Sequence, residues 1–356
     1  MQQPVPTRSP PAPAGEWPAG GLEALGRCPV CGEAAREKLH DDLTDAVFFV
    51  APGRWTLWRC GDCRSGYLDP RPDRETIGLA YGRYYTHEDE DAADPPLAAA
   101  SWRTALGNGY RNRRYGARLE PASRLGPLAA ALAPSMRGTI DVAYRHLPDP
   151  ARVPYPTVLD VGCGGGEWLR VARDLGWRAC GAEPDEKARE RAVARGFDVR
   201  LGSAEAWLDE AGRFGAVTMS HVVEHLHDPV TTLRTIHALL APGGRLYIDT
   251  PNVDAASHAL FGRHWRGLEI PRHLVIFNPR SLRRAARAAG FARVRHVRRA
   301  SPAAWLNQAS ARIAAGADPY DEAAGVPAPP VGTRQRWANA VAVARAEFVT
   351  LVCDKA

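Results

Sequence analysis

The chain is poor in lysine, in methionine and in long apolar runs. It has three lysines (Lys38, Lys187 and Lys355) beside 43 arginines, and three methionines in 356 residues. No apolar stretch approaches the roughly 20 residues that a membrane-spanning helix needs. The N-terminus has no apolar signal core either. A cytoplasmic chain with no membrane partner is therefore expected, and disulfides are not expected among its seven cysteines. A formal net charge of +6 suits phosphorylated or nucleic-acid partners. With so much alanine and proline beside the arginine, it reads better as a compositional bias on a mixed-charge surface. The length allows a full core and more than one domain.

The most informative stretch is Thr157-Val158-Leu159-Asp160-Val161 followed by Gly162-Cys163-Gly164-Gly165-Gly166. A short β-branched run reads as a buried strand, and the glycines form a turn on which a ligand can rest against bare backbone. Glu167 to Gly176 then reads as a helix ended by its glycine. Strand, glycine turn and helix N-terminus make a nucleotide-binding corner. A second strand, Ala179 to Glu183, ends in an acid placed to accept hydrogen bonds from both ribose hydroxyls.

Four cysteines form two pairs, Cys28-Pro29-Val30-Cys31 and Cys60-Gly61-Asp62-Cys63. Two-residue knuckles let two thiolates each converge on one tetrahedral ion, so a structural zinc is expected at Cys28, Cys31, Cys60 and Cys63. A site closed by four thiolates folds a module and performs no chemistry. Cys163, Cys180 and Cys353 have no nucleophilic context.

Farther on come Phe214 to Ser220, then His221-Val222-Val223-Glu224-His225-Leu226-His227-Asp228-Pro229, and Pro242-Gly243-Gly244-Arg245-Leu246. This set, in this order, resembles the class I S-adenosylmethionine-dependent methyltransferases, especially the branch with the ubiquinone-pathway O-methyltransferases. The resemblance covers about residues 151–300. It implies an α/β fold: a Rossmann-like sheet, here with a small N-terminal zinc-ribbon-like module and a helical flank. It also implies S-adenosylmethionine as cofactor. Asp160 and the backbone of Gly162, Gly164 and Gly166 would hold its methionine portion, Glu183 the ribose, and Ala204 the adenine. Ser220 and His221 would face the sulfonium.

The boundaries read as a disordered tail (1–26), a zinc-binding module (27–72), a linker and helical lid or flank (73–150) and a methyltransferase domain (151–356). Tyr81 to His87 leads into an acidic loop, Glu88 to Asp94. Gly107, Gly109, Pro121 and Pro134 are expected to break the helices of the flank. Residues 251–278 are the expected roof of the acceptor site, and 301–345 an insertion before the last strand.

Two constellations compete for the chemistry. His221, Glu224 and His225 match positions that hold a divalent ion in the ubiquinone-type enzymes, although that pattern begins with an acid where this chain has His221. The alternative is that Glu224 and His225 start a helix and stabilise its end. The second constellation, Ile270-Pro271-Arg272-His273, resembles the Tyr-x-Glu-His segment of deoxysugar C-methyltransferases, which also carry a four-cysteine zinc module. Its histidine is a candidate general base, so His273 is the first choice here, although Ile270 and Arg272 replace the tyrosine and glutamate; the alternative is a histidine that hydrogen-bonds the loop shut.

No Asn-Pro-Pro-Tyr or Asp-Pro-Pro-Tyr run follows the fourth strand, which argues against methylation of exocyclic amines in nucleic acids. The expected activity is methyl transfer to a hydroxyl or carbon of a small-molecule acceptor, a sugar or secondary metabolite. The rival is an RNA methyltransferase whose zinc module grips nucleic acid through Arg54, Trp55, Trp58, Arg59 and Arg64.

Overall fold

The computed structural model describes residues 15–82, 101–299, 301–333, 335–336 and 343–356. Most of the expected N-terminal tail (1–14) and the acidic loop Glu88 to Asp94 lie outside the described residues. No helix among the described residues is long and apolar enough to cross a membrane.

The N-terminal part is built from short strands: β1 (Leu22–Glu23), β2 (Arg36–Leu43), β3 (Trp55–Cys60), β4 (Gly66–Leu68) and β5 (Arg71–Pro72). On β3, Trp55 and Leu57 turn inward and are buried, the period-two pattern of a strand with one packed face. β2, β3 and β4 form an antiparallel sheet, and β1 pairs with β5.

Three helices follow: α1 (Trp102–Tyr115), α2 (Gly126–Leu132) and α3 (Pro134–Ala143). Here one expectation fails. α1 runs unbroken through Gly107 and Gly109 and ends only at Gly116, whose φ is 72°. The reason is packing: a Cβ on Gly109 would overlap the Ser123 carbonyl, so glycine at that position lets a turn of the α1–α2 connection lie on the helix. The other two positions do delimit helices. Pro121 lies in the α1–α2 connection and Pro134 opens α3 as its first residue.

The central unit alternates strand and helix: β6 (Thr157–Val161), α4 (Glu167–Asp174), β7 (Arg178–Glu183), α5 (Glu186–Ala194), β8 (Asp198–Leu201), β9 (Phe214–Ser220), α6 (Pro229–Leu239) and β10 (Leu240–Pro251). Then come α7 (Ala256–Phe261), β11 (Val275–Ile276), α8 (Pro279–Ala288), β12 (Arg293–His296), α9 (Ala303–Ala314) and β13 (Phe348–Asp354). The seven-stranded sheet has the order β12-β13-β10-β9-β6-β7-β8, with β13 antiparallel to both neighbours. This is the class I methyltransferase sheet. Six of the seven β9 residues are buried, as a strand covered on both faces requires. The parallel strands bring their C-terminal ends, and so the site, to one edge of the sheet.

The two sheets are not separate bodies. β11, from the segment after β10, pairs antiparallel with β4 and becomes the outer strand of the cysteine-bearing sheet. Cys28, Cys60, Cys63 and Tyr67 share one apolar core with Val217, Leu246, Val275 and Phe277.

Candidate active site

At the end of β6 the glycine turn adopts the conformation glycine alone takes at little cost. Gly162, Gly164 and Gly166 have φ of 71°, 56° and 88°. A Cβ at Gly162 would also meet Val222 at 2.6 Å. The Gly164 N–H donates to Glu183 Oε2 at 2.8 Å, and the Asp185 N–H to Oε1 at 3.0 Å. Each Glu183 oxygen keeps a further lone pair. Burial raises the Glu183 pKa above its ordinary value against these two donors. Asp160 Oδ1 accepts from the Thr218 hydroxyl at 2.8 Å and from Arg145, whose guanidinium lies 4.0 Å from the Trp168 ring. Asp160 Oδ2 is buried with no partner among the described residues. Ala204 is fully buried, opening a short 3-10 turn after β8. Ser220 ends β9.

Beside this corner lies a cavity of about 400 Å³. Pro251, Trp265, Trp305, Leu306 and Phe348 form its apolar side, and His221, His225, Glu269 and His273 its polar side. Trp305 and Leu306 belong to α9, so the 301–345 segment makes one wall. Residues 101–147 contribute nothing to the cavity lining. They pack instead on the sheet around Val158, Leu175 and Trp177, beside the glycine turn, and so form a flank rather than a lid over this cavity.

Glu224 and His225 do not start a helix. They occupy a one-turn 3-10 segment, Val223–His225, and α6 begins at Pro229 with the Asp228 carboxylate accepting the Thr231 N–H. His221 sits at φ 56°, a strained value for a residue with a Cβ, and its N–H donates to the Asp249 carbonyl at 2.8 Å. Its Nδ1 lies 3.4 Å from Glu224 Oε1. The His221 side chain is nearly half exposed; desolvation of its inner face works to lower its pKa, but the Glu224 and Asp249 carboxylates outweigh it and the net shift is upward. Glu224 is fully buried. Its burial is overcome by His221 and the other nearby imidazoles, which hold its carboxyl at about 2.

His273 Nδ1 lies 3.0 Å from the Gly267 carbonyl. A carbonyl only accepts, so Nδ1 carries the hydrogen and Nε2 carries a lone pair. That lone pair lies 4.0 Å from Glu224 Oε1 and 3.9 Å from Glu269 Oε2. Burial lowers the His273 pKa to about 4 in spite of both acids, so the ring is neutral near pH 7. His225 Nδ1 faces the Arg272 carbonyl at 3.0 Å and the Tyr81 hydroxyl at 3.0 Å, and its ring meets that of His273 edge to face at 4.8 Å.

The four paired cysteines converge. Cys28 and Cys63 Sγ are 3.6 Å apart, Cys31 and Cys60 Sγ 3.5 Å, and all four lie within 4.8 Å of one another. Tetrahedral zinc with bonds of about 2.3 Å sets its sulfurs about 3.8 Å apart, so this donor set fits the metal. Burial pushes the Cys31 thiol up to about 11. The aromatic and basic residues singled out in this module have partners within the protein. Trp55 is core, and the Trp58 indole N–H donates to the Asp69 carbonyl at 2.8 Å. Arg54 pairs with Asp42, Arg59 with Asp254, and Arg64 with Glu37 at 2.8 Å.

Residues 110–296 match a family described as a methyltransferase domain, more than half of the chain. The chain belongs to that family. Among its relatives is the ubiquinone biosynthesis O-methyltransferase of Caulobacter vibrioides, 39% identical over 111 residues, which are 29% of this chain and 44% of that protein. The Xanthomonas axonopodis protein of the same name is 34% identical over 131 residues, covering 32% of this chain and 55% of the relative. The chain thus spans about half the length of these curated relatives. Among solved structures, an S-adenosylmethionine-dependent methyltransferase from Archaeoglobus fulgidus is 17% identical, with 69% of this chain and 98% of that one covered and a TM-score of 0.41.

Around the site, sequence reasoning missed three polar residues. Arg145 stands in the flank with no motif to mark it, yet its guanidinium reaches Asp160. Asp249, at the end of β10, accepts from Thr350 at 2.6 Å and from Arg299. Glu269 stands four residues before His273, at φ 42°. The sugar-enzyme pattern puts a glutamate where this chain has Arg272. Glu269 returns a carboxylate to the same imidazole from three positions upstream, and only the turned backbone makes that visible.

Proposed function

We propose that the chain transfers a methyl group from S-adenosylmethionine to a hydroxyl or carbon of a small-molecule acceptor, a sugar or secondary metabolite, with His273 as general base. The observation that carries the reading is the neutral His273 Nε2, facing two carboxylates on the wall of a cavity beside the glycine turn. When bound, S-adenosylmethionine supplies an electrophilic methyl group on a sulfonium. The positive-φ glycines and the remaining Glu183 lone pairs fit its methionine and ribose portions. Asp160, through its unpartnered Oδ2, and Arg145 would hold the amino-acid end; Ala204 would lie against the base, and Ser220 and His221 near the sulfonium.

In this reading the acceptor enters the cavity and gives its proton to His273 Nε2. Glu224 and Glu269 stabilise the imidazolium that results, and the Gly267 carbonyl fixes the ring tautomer. Trp265, Trp305 and Phe348 exclude water and hold the acceptor in line with the methyl group. Cys28, Cys31, Cys60 and Cys63 would hold a structural zinc. The ubiquinone-pathway relatives support O-methylation, while Arg54, Arg59 and Arg64 each already face a carboxylate (Asp42, Asp254 and Glu37), which weighs against an RNA-gripping module.

A second reading has one specific observation behind it. Glu224, His225 and His273 each bring a ligand atom within 4.8 Å of the others. In both histidines Nδ1 faces a backbone carbonyl, the outer-shell arrangement typical of metal-bound imidazole. This trio would bind a divalent ion that orients a catechol-like acceptor, with His273 in place of His221.

The test is transfer of labelled methyl from S-adenosylmethionine to catechols, sugar nucleotides and total RNA, each with and without added Mg2+. Transfer to a small molecule without RNA is expected. Transfer to RNA alone would overturn the proposal, and a strict Mg2+ requirement would favour the second reading.

A further inference from the structure

Asp45 follows β2, outside the region that matches the methyltransferase family, and is fully buried. Backbone N–H groups of Val47, Phe48, Val50 and Ala51 donate to its carboxylate at 3.4, 3.1, 3.0 and 3.1 Å. Both of its oxygens also accept from the Arg272 guanidinium, Oδ2 at 3.1 Å. Arg272 is equally buried: its Nη1 donates to the Ala80 carbonyl at 2.7 Å, and the guanidinium lies 4.3 Å from the Phe48 ring. Arg272 is the chain neighbour of His273. Its Nε lies 3.6 Å from Glu269 Oε1, and neither atom has a hydrogen-bond partner among the described residues.

Arg272 therefore stands between two buried carboxylates, and Glu269 meets a second buried cation, because Arg266 Nη1 donates to its Oε2 at 2.6 Å. Asp45 holds Arg272 by a two-point grip, which suits the planar guanidinium and is strong where water is excluded. Released from Asp45, Arg272 would have to move only from 3.6 Å to about 2.8 Å to form a charge-assisted bond with Glu269. Glu269 Oε1 would then turn toward Arg272, pivoting the carboxylate about the Arg266 bond and shifting Oε2, now 3.9 Å from His273 Nε2.

We propose that Asp45 is a positioning residue for the acceptor site: by holding Arg272, it leaves the Glu269 carboxylate facing His273. The inference rests on the reading of His273 as the base. It makes the cysteine-bearing module part of the catalytic arrangement without any contact to the acceptor.

The test is crystal structures of full-length Asp45→Asn and Asp45→Asn/Arg272→Met with S-adenosylhomocysteine, beside thermal midpoints and S-adenosylhomocysteine affinity. In Asp45→Asn the Arg272–Glu269 contact is expected to close to about 2.8 Å, and the Glu269–His273 separation to lengthen. The double variant, with the Arg272 cation gone, should restore that separation. A purely structural Asp45 would disturb only the 46–51 loop: Glu269 and His273 unmoved in Asp45→Asn would overturn the proposal. If Asp45→Asn does not fold, Asp45→Ser takes its place: an Arg272–Glu269 contact closed to about 2.8 Å supports the proposal, and Glu269 and His273 unmoved sink it. His273→Ala turnover tests the base separately, so a failed base and a failed positioning role give different results.

Discussion

His273 Nε2 stands 3.9 Å from Glu269 Oε2 and 4.0 Å from Glu224 Oε1, a neutral imidazole nitrogen between two ionised carboxylates. Those acids are held at about 2, so they stay charged while the imidazole, at about 4, stays free of its proton.

Because burial lowers the His273 pKa, its base form is kept as pH falls through the usual histidine range and is lost only near pH 4. The kcat/KM profile for the acceptor found by labelled-methyl transfer should hold its value from pH 7 to about 5, and its acid limb should vanish in His273→Ala. His273→Ala itself should cut turnover on the order of 100-fold with donor affinity kept. An acid limb near 6.5, or an unaltered rate in the variant, would remove His273 from the mechanism.

Glu183→Ala removes the acceptor of the Gly164 and Asp185 N–H groups as well as the proposed ribose anchor. S-Adenosylmethionine affinity, measured by calorimetry, should weaken about 10- to 100-fold. Affinity equal to wild type would mean that the nucleoside binds elsewhere.

Metal analysis of the purified chain should give about one zinc. Chelation, or Cys60→Ser, should lower the thermal midpoint, because the Cys63 and Arg64 carbonyls hold the Asn278 side chain that caps α8. A metal-free protein of unchanged midpoint contradicts this.

Four histidines, His40, His146, His273 and His296, have pKa values lowered to about 4 by burial. Unfolded, each takes a proton near 6.5, whereas folded each stays neutral to about 4. Their contribution is complete above pH 6.5 and is lost as pH falls from 6.5 to 4. Urea midpoints should therefore drop across that interval. A flat midpoint over the same range would show that these rings take up protons without unfolding.

The sequence carried the centre of the sheet because β6 and β9 are short apolar runs set off by a glycine or an acid. It could not carry the α1 glycines, whose tolerance depends on a neighbouring turn, Ser123, distant in the pattern. Nor could it carry Glu269, Asp249 and Arg145. Each is one charged residue among many, given meaning only by the left-handed backbone at 145 and 269 and by the register of β10 against β9. The sequence did bring His221, Glu224, His225 and His273 forward, but as two rival groups. The fold makes them one cluster, because the Glu224 carbonyl accepts the Leu274 N–H at 2.8 Å.

The pairing of β11 with β4 bears on how this protein can be cut. A fragment beginning after residue 72 would keep the whole seven-stranded sheet and yet leave Val275 and Ile276, both wholly buried in the intact chain, along a bare hydrogen-bonding edge. Such an edge recruits other chains. A fragment cut there is expected to self-associate where the whole chain does not.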